Sequence, residues 1–293
     1  MSEEPFVAHR GLLFTVAYEM LGSAVDAEDV VQETWVRWDA IGELARGEVR
    51  DPRAFLVRMV TRKALDRLRS DARRREDYVG EWLPEPLLTT PDVADDIELA
   101  ESVSMAMLVV LETLTPTERA VFVLREVFEM PYDEIADAID KSPAAVRQIV
   151  HRAREHVAAR RPRMEADRTE QRAVVNRFLA AVNGGDLQAL LDVLAPDVVL
   201  VADGGGVAQA VVNPVVGAKK VANLLRPFHR FAPGAQIVPM LLNGAVGALI
   251  VGLDDGHDTA ISFVVEDHRI TRIYAVRNPA KLGGIDAEAS LSR

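Results

Sequence analysis

With 293 residues, 49% of them hydrophobic, the chain is long enough for two or three domains with packed cores. It has no cysteine, which excludes disulfides and thiolate metal sites, and its six histidines form no ligand cluster, so neither a metal nor a cofactor is expected. The amino-terminal stretch MSEEPFVAHR lacks a basic segment followed by an apolar run, and no stretch approaches a membrane span; the expectation is a soluble cytoplasmic protein with no membrane contact.

The first predicted helix runs from Phe6 to Leu21, with Leu12, Leu13, Val16, Ala17 and Met20 on one stripe, and Gly22-Ser23 ends it. Asp26 is the expected N-cap of the second, with Glu28 and Asp29 in a first turn where the helix dipole favours acids. This segment, DAEDVVQETWVRW, directs Val30, Val31, Thr34, Trp35 and Trp38 to a core and leaves Asp29, Gln32, Glu33 and Arg37 outside. That outer face suits a partner helix or simply solvent. Residues 42–52 read as a loop. A third helix spans Arg53 to Arg75, with Phe55, Leu56, Met59, Val60, Ala64, Leu65 and Leu68 as its core face and Arg58, Arg62, Lys63, Arg67 and Arg69 projecting from the rest.

The net charge of −11 speaks against a nucleic-acid partner until its distribution is read. Only Asp66 and Asp71 oppose the bases of the third helix, whereas from Glu76 to Glu101 there is no Lys or Arg at all. From Lys141 to Arg163 the chain is basic again, with Glu155 the only acid. Two basic segments able to track phosphates thus flank an acidic connector that cannot. The connector holds WLPEPLLTTPD; its prolines and acids argue against regular structure, yet Trp82, Leu83, Leu87 and Leu88 are too apolar for a solvated linker and should dock on a surface.

Thr115-Pro116-Thr117-Glu118 is a capping box with proline at the first helical position, followed by Val121, Phe122, Leu124 and Val127. Then YDEIADAIDKSPAAVRQIVHRAREHV has the pattern of a helix-turn-helix. Ile135, Ala136 and Ile139 form a short stripe, Asp140-Lys141 a break, Ser142 a cap and Pro143 a first turn. Val146, Ile149, Val150 and Ala153 bury one face of the second helix; Arg147, Gln148, His151, Arg152 and Arg154 line the other. A helix packed on one side and basic on the other fits a DNA major groove. Lys141 and Ser142 sit at the N-terminus, where phosphates are favoured. Arg147, Gln148 and His151 are the base readers by position, and Arg152 holds a phosphate or simply keeps the surface soluble. Arg154 either joins them or pairs with a neighbouring acid.

A new pattern starts near Arg168. Helical stripes at Val174–Val182 and, capped by Asp186, at Leu187–Leu194 precede a β-rich run at Val198–Ala202, a turn at Asp203-Gly204-Gly205-Gly206 and a helix over Ala218–Arg230. β-runs at Ala235–Leu242, Ala245–Leu253, Thr259–Glu266 and Ile270–Val276 follow, separated by the hairpin signals Asn243-Gly244, Asp254-Asp255-Gly256 and Asp267-His268. Helices followed by a meander predict an α+β cone. Asp203, His229, Asp267, His268 and Tyr274 are its only acid–base candidates, at no diagnostic spacing, so catalysis is not expected.

These motifs together resemble the extracytoplasmic-function sigma factors of bacterial RNA polymerase. DAEDVVQETWVRW is similar to region 2.2, which docks on the β′ clamp helices; PRAFLVRMVTRKALDRLRSDARRR to regions 2.3 and 2.4, which open and read the minus-ten element; and LETLTPTERAVFVLREVFEMPYDEIADAIDKSPAAVRQIVHRAREHV to region 4, which reads the minus-thirty-five element. The resemblance implies polymerase contacts at Asp29, Gln32 and Glu33, minus-ten contacts at Arg58, Arg62 (where many members carry Asn), Lys63 and Arg67, and minus-thirty-five contacts at Lys141, Ser142, Arg147, Gln148, His151 and Arg152. Implied partners are the polymerase core, through the β′ clamp helices and the β flap, and promoter DNA. WLPEP, DGGG and NPAKL resemble the motifs of a subgroup with a fused carboxy-terminal domain of SnoaL-like (NTF2-like) fold, although Val207 stands where lysine often follows the glycines. The subgroup carries that domain in place of a separate anti-sigma partner. Regulatory contacts are therefore expected at Trp82, Leu83, Pro84, Asp203, Gly204, Gly205, Asn278, Pro279, Lys281 and Leu282, with room for a small ligand. The expected architecture is multidomain: all-α region 2 (1–76), an acidic linker (77–103), all-α region 4 (104–163), an α+β regulatory cone (168–285) and a tail (286–293). The alternative is a DNA-binding regulator fused to a ligand-sensing or substrate-converting cone.

Overall fold

A computed structural model of the protein describes residues 4–76, 78–161, 167–232 and 234–293. It opens with α1 (Pro5–Leu21), α2 (Ala24–Ala40), α3 (Glu43–Gly47) and α4 (Pro52–Glu76). From Leu12 to Leu21 every residue of α1 is buried, because α1 packs on α2 and α4 and also on the helices that follow the connector. It ends at Gly22, whose φ of 68° gives the left-handed cap that lets its N–H return to the Tyr18 carbonyl at 2.7 Å. The chain leaves that cap extended, so Ser23, not Asp26, caps α2: its hydroxyl accepts from the Asp26 N–H at 3.1 Å. Val30, Val31, Thr34 and Trp38 are buried as expected, but Trp35 is on the exposed edge, tilted against Phe6. The stripe 30, 34, 38 defines the buried face, and residue 35 falls beside it. The short α3 replaces part of the loop expected at 42–52.

The connector is extended to Thr90 and then forms α5 (Pro91–Asp95) and α6 (Ile97–Ser102), where no regular structure was expected. Proline at the first helical position starts α5, and Asp96 caps α6 by accepting from the Leu99 N–H at 3.0 Å. Local capping outweighed the proline and charge content.

Next come α7 (Met105–Leu111), α8 (Pro116–Phe122), a π turn over Val123–Val127, α9 (Tyr132–Ile139) and α10 (Pro143–Ala158). The Thr115/Glu118 capping box is formed in both directions. Asp140 takes the left-handed conformation at the end of α9, and Ser142 caps α10 by accepting from the Ala145 N–H at 3.2 Å. Val146, Ile149, Val150 and Ala153 are buried, which fixes the opposite face of α10 outward. One apolar core runs from α1 through α10.

The carboxy-terminal part comprises α11 (Arg168–Gly184), α12 (Leu187–Val193), β1 (Leu194–Asp203), β2 (Val215–Val216), α13 (Ala218–Leu225), α14 (Phe228–Phe231), β3 (Gln236–Leu242), β4 (Ala245–Val251), β5 (Thr259–Glu266) and β6 (Arg269–Val276). The sheet order is β2-β1-β6-β5-β4-β3, with β1 and β6 parallel and every other pair antiparallel. The helix expected over Ala218–Arg230 breaks at Arg226-Pro227, because proline cannot donate within a helix. Asn243-Gly244 and Asp267-His268 make the expected tight hairpins; all but Gly244 are non-glycine residues at positive φ. α11 packs Phe178 edge-on to Phe263 of β5, so one face of the sheet is filled from its own helices. The other face, with Val264, Tyr274 and Val276, packs on Leu83 of the connector and Met105 and Ala106 of α7. The cone is thus joined to the helical part by a shared apolar layer.

Candidate functional site

The side chains singled out in the sequence fall into three groups. On α4, Arg58 lies over the Phe55 ring at 5.3 Å, while Arg62 crosses to the helix-turn-helix. Its guanidinium donates to the Asp137 carbonyl at 2.7 Å and the Ala138 carbonyl at 3.3 Å and pairs with Asp140 at 3.1 Å. These are end-of-helix carbonyls of α9, which lack intrahelical donors and favour a cation. Lys63 pairs with Glu33 at 2.7 Å, and Arg67 with Asp26 and, at 3.9 Å, Asp29. The acids of α2 and the bases of α4 therefore neutralise one another in this arrangement, while Gln32 is exposed.

On α10, Lys141, Arg147, Gln148, His151 and Arg152 are exposed together with Ser142. The Ser142 hydroxyl is committed to its cap. Arg147 and Arg125 flank the Tyr132 ring at 5.2 and 4.7 Å. Arg154 makes a two-pronged pair with Glu126, both bonds 2.8 Å, which holds its pKa above the ordinary value; of its two expected roles this is the pairing with a neighbouring acid. Arg163, and the side chains of Arg73, Arg74 and Arg75, lie outside the described residues.

The third group is a largely buried hub on the connector. Asp203, at the end of β1, is fully buried. Its Oδ2 accepts from the Leu83 N–H at 2.9 Å and from the Lys281 ammonium at 2.7 Å; its Oδ1 accepts from the Tyr78 hydroxyl at 2.6 Å and the Gly205 N–H at 3.0 Å. Lys281 also donates to the Leu83 carbonyl at 2.6 Å and lies over the Trp82 ring at 4.0 Å. Asn278 donates to the Tyr78 hydroxyl at 2.7 Å and accepts from the Ala280 N–H, the turn that Pro279 starts. Burial and the bond to Asp203 push the Tyr78 phenol up, so it stays a donor. A Cβ on Gly205 would overlap the Asn278 amide, and one on Gly204 the Ala208 carbonyl, which is why both are glycine. Pro84 is buried and Leu282 packs beside Leu83. The structure thus brings Trp82, Leu83 and Pro84 against Asp203, Gly204, Gly205, Asn278, Pro279, Lys281 and Leu282.

The acid–base candidates of the cone are not gathered. Asp203 is consumed by the hub, Tyr274 is buried on the shared layer with its pKa raised by burial to about 12, and Asp267 and His268 form a hairpin turn in which His268 meets Glu170. The side chain of His229 lies outside the described ones.

Comparison with known proteins now decides the family. Residues 6–74 match the model of Sigma-70 region 2, and residues 104–157 that of Sigma-70 region 4. The chain is 39% identical to the ECF RNA polymerase sigma factor SigJ of Mycobacterium tuberculosis over 97% of its own length and 94% of that protein. It is an extracytoplasmic-function RNA polymerase sigma factor. A probable sigma factor of the same organism, SigI, is 33% identical over 96% of this chain and 94% of its own. The crystal structure of M. tuberculosis SigJ superposes with a TM-score of 0.77 at 34% identity, covering 96% of this chain and 98% of that one. Sigma regions 2 and 4 followed by a fused α+β cone is therefore its architecture, and membership of this family implies the polymerase core and promoter DNA as partners. Among the described residues no helix is long and apolar enough to cross a membrane.

Sequence reasoning missed several residues that hold this sigma factor together. Glu85 of WLPEP caps α2: its carboxylate accepts from the Ala24 N–H at 2.7 Å and the Val25 N–H at 3.3 Å. Tyr18 donates to the Glu85 carbonyl at 2.6 Å. Glu19 of α1 and Arg119 of α8 are buried ionisable groups. Ser102 donates to Glu19 at 2.7 Å, and Arg119 donates to the Glu19 carbonyl at 2.9 Å and pairs with Glu112. Burial pushes Glu19 up to about 8. Their only sequence signal was polar residues on otherwise apolar helical faces.

Proposed function

We propose that this sigma factor directs core polymerase through Asp29, Gln32 and Glu33 on the β′ clamp helices and through region 4 on the β flap. In this reading it meets the minus-ten element with Arg58, Arg62, Lys63 and Arg67 and the minus-thirty-five element with Lys141, Ser142, Arg147, Gln148, His151 and Arg152, in the cytoplasm with its polymerase. Bond-making chemistry belongs to the polymerase core. The cone acts in cis: by gripping WLPEP with DGGG and NPAKL it holds regions 2 and 4 in an arrangement unsuited to a promoter. One observation carries this reading. Arg62, on the minus-ten side of α4, is spent on the end of α9, so the two DNA-facing elements lean on each other.

Physically, the cone need not grip strongly. Tethering keeps its effective concentration high, so modest contacts stay occupied. Core polymerase and DNA open the arrangement only by binding the open form better. The test is promoter-specific transcription by core polymerase with the full chain and with Lys281→Ala. More transcript from K281A supports restraint; less shows that the cone is an activating part of the holoenzyme. A full chain that fails to bind core polymerase at all removes the assignment of the polymerase face. For that face, Glu33→Ala and Asp29→Ala should weaken core binding and leave thermal stability within about 0.5 kcal/mol.

A further inference from the structure

We infer that the β3–β4 hairpin tip is a second docking contact of the cone, separate from the Asp203 hub, and that Asn243 is its keystone, fixing region 2 against the start of region 4. The inference rests on reading the cone as a restraint and adds where the restraint is applied.

An Asn-Gly turn with positive φ at both positions is ordinarily a solvent-facing hairpin end. Here Asn243 has no exposed surface. Its side chain uses its donors and acceptor on three different parts of the molecule. Nδ2 donates to the Tyr18 hydroxyl of α1 at 2.7 Å and to the carbonyl of Val103, just before α7, at 2.9 Å. Oδ1 accepts from the Leu87 N–H of the connector at 3.1 Å, and the Asn243 N–H returns to the Leu87 carbonyl at 2.9 Å. Only a primary amide supplies two donors and an acceptor from one planar group.

Gly244 completes the contact. Its N–H donates to the Thr89 hydroxyl at 3.0 Å, and a Cβ there would stand 2.8 Å from the Ala100 Cα, at a φ of 73°. The Thr89 N–H donates to the Leu241 carbonyl at 3.0 Å, and Leu88 bridges to Leu242, so the connector adds a short antiparallel step at the end of β3. Among the described residues no hub side chain takes part in these hydrogen bonds, although Leu282 packs on the cluster that includes Leu242. The hub holds residues 78–83 and the tip holds 87–89. Between them lie Pro84, Glu85 and Pro86, stiffened by the two prolines and pinned to the N-terminus of α2. The connector therefore has two anchors and little slack, and of the two it is the tip that hydrogen-bonds both α1 and the segment leading into α7.

The test uses the full chain and amide hydrogen exchange read by mass spectrometry. Asn243→Asp keeps the shape but sets a carboxylate oxygen against the Val103 carbonyl. Exchange at 85–89 and 100–104 should accelerate by about tenfold or more, the effect of one buried partner left unsatisfied, while 78–83 and 203–207 stay unchanged. Lys281→Ala should show the reverse pattern. Unchanged exchange at 85–89 and 100–104 in N243D overturns the inference, as does acceleration that spreads equally to the hub. Promoter transcription separates it from the reading beneath: faster exchange with unchanged transcription keeps the tip contact and removes the restraint. Should N243D not fold by circular dichroism, Tyr18→Phe, which removes only the hydroxyl between Asn243 and Glu85, carries the same readouts.

Discussion

Two of the charge pairs that join distant parts of this molecule are built in opposite ways. Lys281 and Asp203 are 8% and 0% exposed, 2.7 Å apart, and every oxygen of the carboxylate has hydrogen-bond partners. Arg62 and Asp140, 3.1 Å apart, are 50% and 86% exposed. The first pair is shielded from salt and costly to break on one side; the second is screened and contributes little beyond its geometry. The cone's grip on the connector is therefore the firm contact in this arrangement, and the contact between α4 and the end of α9 is the part that gives.

The largest way to break this contrast is Lys281→Met. Removing one partner leaves the Asp203 carboxylate buried and uncompensated, and chemical denaturation of the full chain should show a loss of about 3–5 kcal/mol. Next is Glu19, whose carboxyl is raised from 4.5 to about 8 by burial. Between those values the folded chain holds a proton that the unfolded chain has released. Stability should thus fall as pH rises from about 4.5 to about 8, by an amount on the order of a few kcal/mol, and level off above. Denaturation midpoints measured across that range should flatten in Glu19→Gln. A Gly205→Ala substitution, at φ 61° and against the Asn278 amide, should cost about 2 kcal/mol and loosen the same hub. Smallest in energy is Arg62→Ala, at most about 1 kcal/mol. It nonetheless sharpens the comparison. The cysteine-free chain accepts dyes at engineered cysteines on α2 and α10, and the distance between them should grow in R62A, or in high salt, while the melting temperature barely moves. Equal distances in both would show that the hub alone sets the arrangement.

What the sequence disclosed, and what it withheld, follow the same division between local and distant causes. The helix-turn-helix was legible because caps, stripe and turn lie within one short stretch, from Tyr132 to Val157. The hairpins and the Thr115 capping box were legible for the same reason. The hub residues could be named from short motifs, but their mutual arrangement joins positions such as Tyr78 and Asn278 that no local pattern relates. Asn243 was read as a turn because an Asn-Gly pair explains itself locally; nothing nearby announces that its amide is spent on Tyr18. Trp35 was misplaced by periodicity because aromatic content alone does not say which side of a stripe edge is covered. The cap of α2 was missed by one turn because Asp26 is itself a good cap in isolation, whereas Ser23 is set by the glycine before it.

The tail has a consequence in time as well as space. Ala289 donates to the Leu88 carbonyl, Ser292 to the Thr15 hydroxyl, and Arg293 reaches Asp96 and Glu98. Each of these, like Lys281, leaves the ribosome long after the residue it meets. At roughly 5–20 residues per second, the stretch between α10 and Lys281 takes on the order of ten seconds to synthesise. During that interval the apolar layer around Leu83 and Met105 has no cone to cover it. The residues that cover that layer are thus made after it, and each new chain passes through the uncovered state before the covered one.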